Sequence, residues 1–177
     1  MAPRIYLVPI HLVSVEWMDR LQDGVQRAFG VRTECLNHPV DLSLAFDPVR
    51  KQYRSSLLLA QLIAHPPDDA IKMLGITDVD LFIPVLTYVF GEAQLDGIGA
   101  VVSVHRLKNS FYGLSEDSER MVDRLVKEAV HELGHTFGLF HCPRAGCVMN
   151  ASPYVEDIDQ KSETLCIECR RAVGLGW

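Results

Sequence analysis

A chain of 177 residues, 48% hydrophobic and 23% charged, has the size and composition of one soluble domain with a substantial core. Its net charge of −6 provides no basic footprint, which argues against nucleic acid as a partner. No stretch has the bias of a disordered segment, and no internal repeat is visible.

The N-terminal stretch MAPRIYLVPIHLV is apolar but interrupted by Pro9 and His11. It is too short to span a membrane and lacks the cleavage site of a secretory signal. A cytoplasmic, reducing setting with no membrane partner is therefore expected, and with it reduced cysteines. Residues 4–9 read as a first strand. Residues 14–29 read as a helix, because Met18, Leu21, Val25 and Phe29 recur at helical spacing, and Gly30 closes it. VRTECL predicts a second strand. The polar stretch from Asn37 to Arg54, with Pro39 and Pro48, predicts a long loop. Residues 55–64 predict a second helix, ended by His65-Pro66-Pro67.

DLFIPVLTYVF, residues 80–90, is apolar at every alternation and reads as a strand covered on both faces, with Pro84 at a bulge or edge. GAVVSVHRL, 99–107, predicts another strand, and Asn109 to Gly113 a connecting loop. A long helix should start near Ser115 as N-cap. Its stripe of Val122, Leu125, Val126, Ala129, Val130 and Leu133 runs directly into HELGHTFGLFHC, residues 131–142. The remaining residues should hold a small helix around 163–173.

His131 and His135 lie four apart, so on a helix they diverge by only about 40° around the axis and can reach one metal ion. Were the helix to continue, His141 would point about 120° away from His135. Gly138 removes the conflict, because glycine can adopt the left-handed conformation that ends a helix and turns the chain back. Three histidines leave one tetrahedral position open to water, as in a catalytic zinc. Glu132 is not needed as a ligand, and its natural role is general base toward that water.

Cys142 follows His141 directly and points away from it in any extended or turn segment. With Cys147, Cys166 and Cys169 it makes a C-x4-C and a C-x2-C pair, a spacing that suits a closed four-cysteine zinc site. Two disulfides, four unrelated thiols, or a redox-active C-x-x-C are the other readings of the same residues. A short tail builds little core alone, which favours a metal. Cys35 reads as a buried small apolar residue of the second strand.

The string H-E-x-x-H-x-x-G-x-x-H followed by a methionine resembles the metzincin clan of zinc peptidases. The cysteine after the third histidine, C-x4-C-x-M and the later C-x-x-C resemble the archaemetzincins in particular. Met149 takes the place of the clan's Met-turn, which implies support beneath the metal. Ala151 stands where some clan members carry a tyrosine ligand, and Tyr154 is three residues too late for that role. Sixteen residues separate Met149 from Cys166, one fewer than the archaemetzincin spacing.

The resemblance implies an α+β, compact metzincin-like fold: a twisted mixed β-sheet with flanking helices, an active-site helix and a small zinc-clasped C-terminal subdomain. One domain over 1–177 is expected, with the sheet and active-site helix in 1–138 and the four-cysteine zinc site in 139–177. It further implies a monomeric metallopeptidase with two zinc ions, one catalytic and one structural, acting on a peptide or protein substrate. Small peptides or exposed termini are the expected substrates. A catalytically silent peptide- or protein-binding module on the same scaffold is the alternative. GAVVSV is the candidate edge strand for pairing with substrate backbone.

Overall fold

A computed structural model describes residues 2–12 and 14–174. Arg4–Ile10 forms β1, and its side chains alternate between two interiors. Ile5 and Leu7 join one apolar cluster, while Tyr6, Val8 and Ile10 join the other. That is why the strand reads as continuously apolar: both faces are covered.

β1 is flanked by two parallel neighbours, β2 (Arg32–Cys35) and β5 (Ala70–Thr77). β8 (Gly99–Ser103) pairs parallel with β5, and β7 (Gly91–Ala93) closes the order β2-β1-β5-β8-β7 as an antiparallel edge. A small second sheet joins β3 (Phe46–Asp47), β4 (Gln52–Arg54) and β6 (Leu81–Phe82). On one face of the main sheet pack α1 (Met18–Phe29) and α3 (Ser118–Thr136); on the other packs α2 (Ser55–Leu62). The result is a mixed α+β molecule with helices on both faces, as the resemblance implied.

Several expectations shift. α1 starts at Met18 rather than at residue 14, and ends as anticipated on Gly30, whose φ of 63° is left-handed. The supposed loop from Asn37 to Arg54 contains a 3-10 turn, Leu42–Ala45, and the strands β3 and β4. The strand expected over 80–90 is cut to Leu81–Phe82. Pro84 offers no amide hydrogen to a ladder, the chain turns, and Val85 and Leu86 are exposed. The central strand β5 carries no such expectation, although it is the spine of the sheet. α3 is capped by Asp117, not Ser115: its Oδ1 accepts from the Arg120 amide at 2.9 Å.

The C-terminal part adds two short helices, α4 (Val155–Gln160), absent from the sequence reading, and α5 (Ile167–Ala172). Arg124, buried on α3, ties α4 in place by a bidentate pair to Asp159, both bonds at 2.7 Å. Val148, Met149, Val155, Ile158 and Leu165 join the same apolar cluster as α1 and α3. No described helix is long and apolar enough to cross a membrane.

Candidate metal centres and cleft

The last turns of α3 carry His131 and Glu132 on its buried side. Beyond Phe137 the chain turns at Gly138, whose φ is 87°, and the Leu139 amide bonds back to the Gly134 carbonyl at 3.0 Å. Lys72 from β5 caps the helix end by donating to the Thr136 carbonyl at 2.6 Å. The turn returns His141 to the first two histidines, with ring centroids 5.2 Å from His131 and 5.1 Å from His135.

The hydrogen bonds fix what this trio offers. His131 Nδ1 lies 2.9 Å from the Val148 carbonyl, and His135 Nδ1 lies 2.7 Å from the Leu139 carbonyl. Carbonyls only accept, so each Nδ1 carries the proton and each Nε2 presents a lone pair. These two Nε2 atoms face each other at 3.1 Å. Two lone pairs that close repel unless a cation sits beside both, and the distance is near the edge of a tetrahedron with nitrogens about 2.0–2.1 Å from its centre. Burial favours the neutral form that a metal requires, strongly at His131 and more mildly at His135, and the Lys161 ammonium adds to this at both rings. The donor set therefore fits a zinc ion.

Glu132 lines the same cleft as His131 and His141 with little of its surface exposed, and makes no hydrogen bond or ion pair among the described residues. Burial, reinforced by the charge of Glu128, pushes its carboxyl well above the usual carboxylate range. Gly91 on β7 makes room for it: a Cβ there would stand 2.6 Å from Glu132 Cγ and 2.6 Å from the Val101 carbonyl oxygen. Nothing in the string GEA signalled this role. Because the carbonyl belongs to the sheet and cannot retreat, Gly91→Ala is expected to cost about 1–3 kcal/mol. The urea midpoint measures it; an unchanged midpoint would mean that the edge strand yields freely.

Met149 is fully buried under the helix, its sulfur packed against Gly134, which lies between His131 and His135 in the helix. Residues 86–91 and 151–154 form the two walls of a cleft of about 580 Å³, with Glu128, His131 and Glu132 on its floor. The Tyr88 hydroxyl donates to the Pro153 carbonyl at 2.9 Å and so joins the two walls. Ala151 and Tyr154 line this cleft. Glu92 faces elsewhere and bonds the Ser55 hydroxyl. A cavity of about 640 Å³ lies apart from the histidines, between Trp17, Val104 and the start of α3.

GAVVSV is not the sheet edge. β8 is buried throughout between β5 and β7, so the free edge beside the cleft belongs to Gly91–Ala93.

The second cluster joins Cys142, Cys147, Cys166 and Cys169, with all sulfurs within 4.8 Å of one another. Cys142 lies 3.8 Å from Cys166, and Cys147 lies 3.8 Å from Cys169. A disulfide needs about 2.05 Å. The observed spacing is instead the edge of a tetrahedron with sulfurs about 2.3 Å from its centre, the zinc–thiolate distance. All five cysteines are free, and Cys35 is exposed at the end of β2 rather than buried as expected, its thiol 3.8 Å from the Gln22 side-chain oxygen: the edge strand leaves that side chain on the surface.

A model of peptidase family M54 matches residues 31–174. The chain belongs to that family. The archaemetzincin of Thermococcus kodakarensis is 42% identical over 175 residues, covering 94% of this chain and 93% of the relative. The crystal structure of archaemetzincin from Methanopyrus kandleri superposes with a TM-score of 0.85 at 34% identity, over 98% of this chain and 94% of that one. A zinc-dependent peptidase from Methanocorpusculum labreanum does so with a TM-score of 0.84 at 31% identity, over 96% and 99%. Membership of M54 makes the chain a zinc metallopeptidase, the class that the sequence resemblance implied, and both clusters could hold the zinc.

Proposed function

We infer that the chain hydrolyses peptide bonds at the centre formed by His131, His135 and His141, acting on small peptides or exposed chain termini. The observation that carries this is the pair of facing Nε2 lone pairs beside a buried carboxylate that has no other partner. A structural metal has no need of such a carboxylate. Zinc bound by the trio supplies a Lewis acid that polarises the scissile carbonyl and makes water more acidic. Glu132 takes the proton of the attacking water and returns it to the leaving amine. The exposed edge of β7 offers backbone groups to an extended substrate. Gly138 and Met149 serve the centre by turning the chain and by filling the space under the histidines. Cys142, Cys147, Cys166 and Cys169 form a closed structural zinc site that clasps residues 139–174 to the rest of one domain.

The test is a mixed peptide library, with free and blocked termini, offered to the zinc-loaded, chelator-stripped and reloaded protein. Cleavage that vanishes on stripping and returns on reloading is expected. Cleavage in no state would leave only a peptide-binding role, and cleavage unaffected by stripping would place the chemistry elsewhere.

A further inference from the structure

One buried ion pair, of which Glu128 lines the cleft and Lys161 lies behind it, has no part in the chemistry above. Lys161, just past α4, is 3% exposed, and its ammonium lies 2.9 Å from Glu128 on α3. The two side chains are only 1% and 4% exposed. Removing both charges from water costs several kcal/mol per ion, so such a pair is a poor device for stability alone. Its place is more informative. Glu128 is one helical turn before Glu132 and lines the same cleft as His131, Glu132 and His141.

A carboxylate there is a hazard, because glutamate oxygens are ordinary zinc ligands and a fourth protein ligand turns an open site into a closed one. Lys161 is the cation that engages it. The same ammonium donates to the Asn150 carbonyl at 3.3 Å, which anchors it to the segment leading into the far wall. It also lies 3.4 Å from His131 Nδ1, on the side away from the ring's metal-facing nitrogen. The ammonium thus engages Glu128 from the Nδ1 side of the His131 ring, not from the side of its metal-facing Nε2.

We propose that Lys161 is a positioning residue of the metal centre, holding the Glu128 carboxylate off the histidine trio so that the fourth coordination position stays open. Glu132 then remains the one carboxylate at the site free to act on water. This rests on the reading of the trio as an open metal centre.

The test uses the whole 177-residue chain with zinc at the cysteines and cobalt(II) at the histidines, and acetohydroxamate as a probe of the open position. Wild type, Lys161→Met and Lys161→Met/Glu128→Gln are compared by cobalt absorption, hydroxamate affinity and peptide turnover. Lys161→Met is expected to hold cobalt at least as tightly, to change its spectrum, and to lose about 10–100-fold in hydroxamate affinity and turnover. The double variant, with no carboxylate to restrain, should recover most of both. An unchanged spectrum and hydroxamate affinity in Lys161→Met overturns the proposal, as does a folded double variant that binds hydroxamate no better than the single one. If Lys161→Met does not fold, Lys161→Gln, which keeps a hydrogen bond to Glu128 without the charge, takes its place and must show the same loss relative to wild type and to the double variant. Failure of wild type to bind cobalt at the histidines would instead sink the reading on which the proposal rests.

Discussion

Changing Cys166 to Ser should leave one metal ion per chain in place of two and release the C-terminal part from the sheet. α4 and α5 have six residues each, and α5 buries none of its side chains. Helices this short do not persist alone. A metal at the four cysteines would cross-link the 142–147 loop to α5, and a structural zinc contributes on the order of 10 kcal/mol to folding. That rivals the whole net stability of a domain, about 5–15 kcal/mol. The damage should also reach the histidines. His141 is joined to Cys142, and the Val148 carbonyl that orients His131 follows Cys147. Metal affinity at the trio should therefore drop about 10–100-fold, as when an outer partner of a ligand is lost. Metal analysis, chelator competition and a thermal scan read the three effects. A variant that melts like wild type and keeps two metals would refute the clasp.

Glu132→Ala should lower kcat by about 10²–10⁴-fold, the contribution of a positioned general base. KM should change little, because the proton is transferred only in the transition state. Zinc content should not change, since the three nitrogens come from other residues. Stability should change little, because the Glu132 carboxylate opens onto the cleft, where water reaches it, and makes no hydrogen bond or ion pair whose loss would be felt. Urea unfolding beside steady-state kinetics checks both halves. A variant that loses activity together with its metal would show that Glu132 supports the site instead of acting in it.

What the sequence discloses and what it conceals divide along physical lines. The histidine and cysteine clusters are legible because their geometry is local. A four-residue spacing puts His131 and His135 on one helix face, and the left-handed turn at Gly138 was foreseeable from glycine alone. β5 is hidden because Lys72 interrupts its apolar pattern. That lysine is accommodated by partners far along the chain: the Gly97 and Thr136 carbonyls and the Phe137 ring. Residues 80–90 mislead in the opposite sense, their apolar run including Val85 and Leu86 on an exposed turn. The sheet edge was misplaced because the interior strand β8 is the more apolar of the two, whereas the true edge is three residues of GEA. Gly91 and the Glu128–Lys161 pair escaped for one reason. Their importance lies in contacts between distant segments, which spacing does not reveal.

The central claim is that the histidine metal reacts and the cysteine metal only holds. Zinc content and library turnover, determined on the same samples of wild type, His135→Ala and Cys147→Ser, test it most directly. The account predicts two zinc ions and cleavage for wild type. It predicts one zinc with the fold intact and no cleavage for His135→Ala, and one zinc with a loosened C-terminal part for Cys147→Ser. Cleavage that survives His135→Ala, or a wild type holding a single zinc with oxidised thiols, would contradict it.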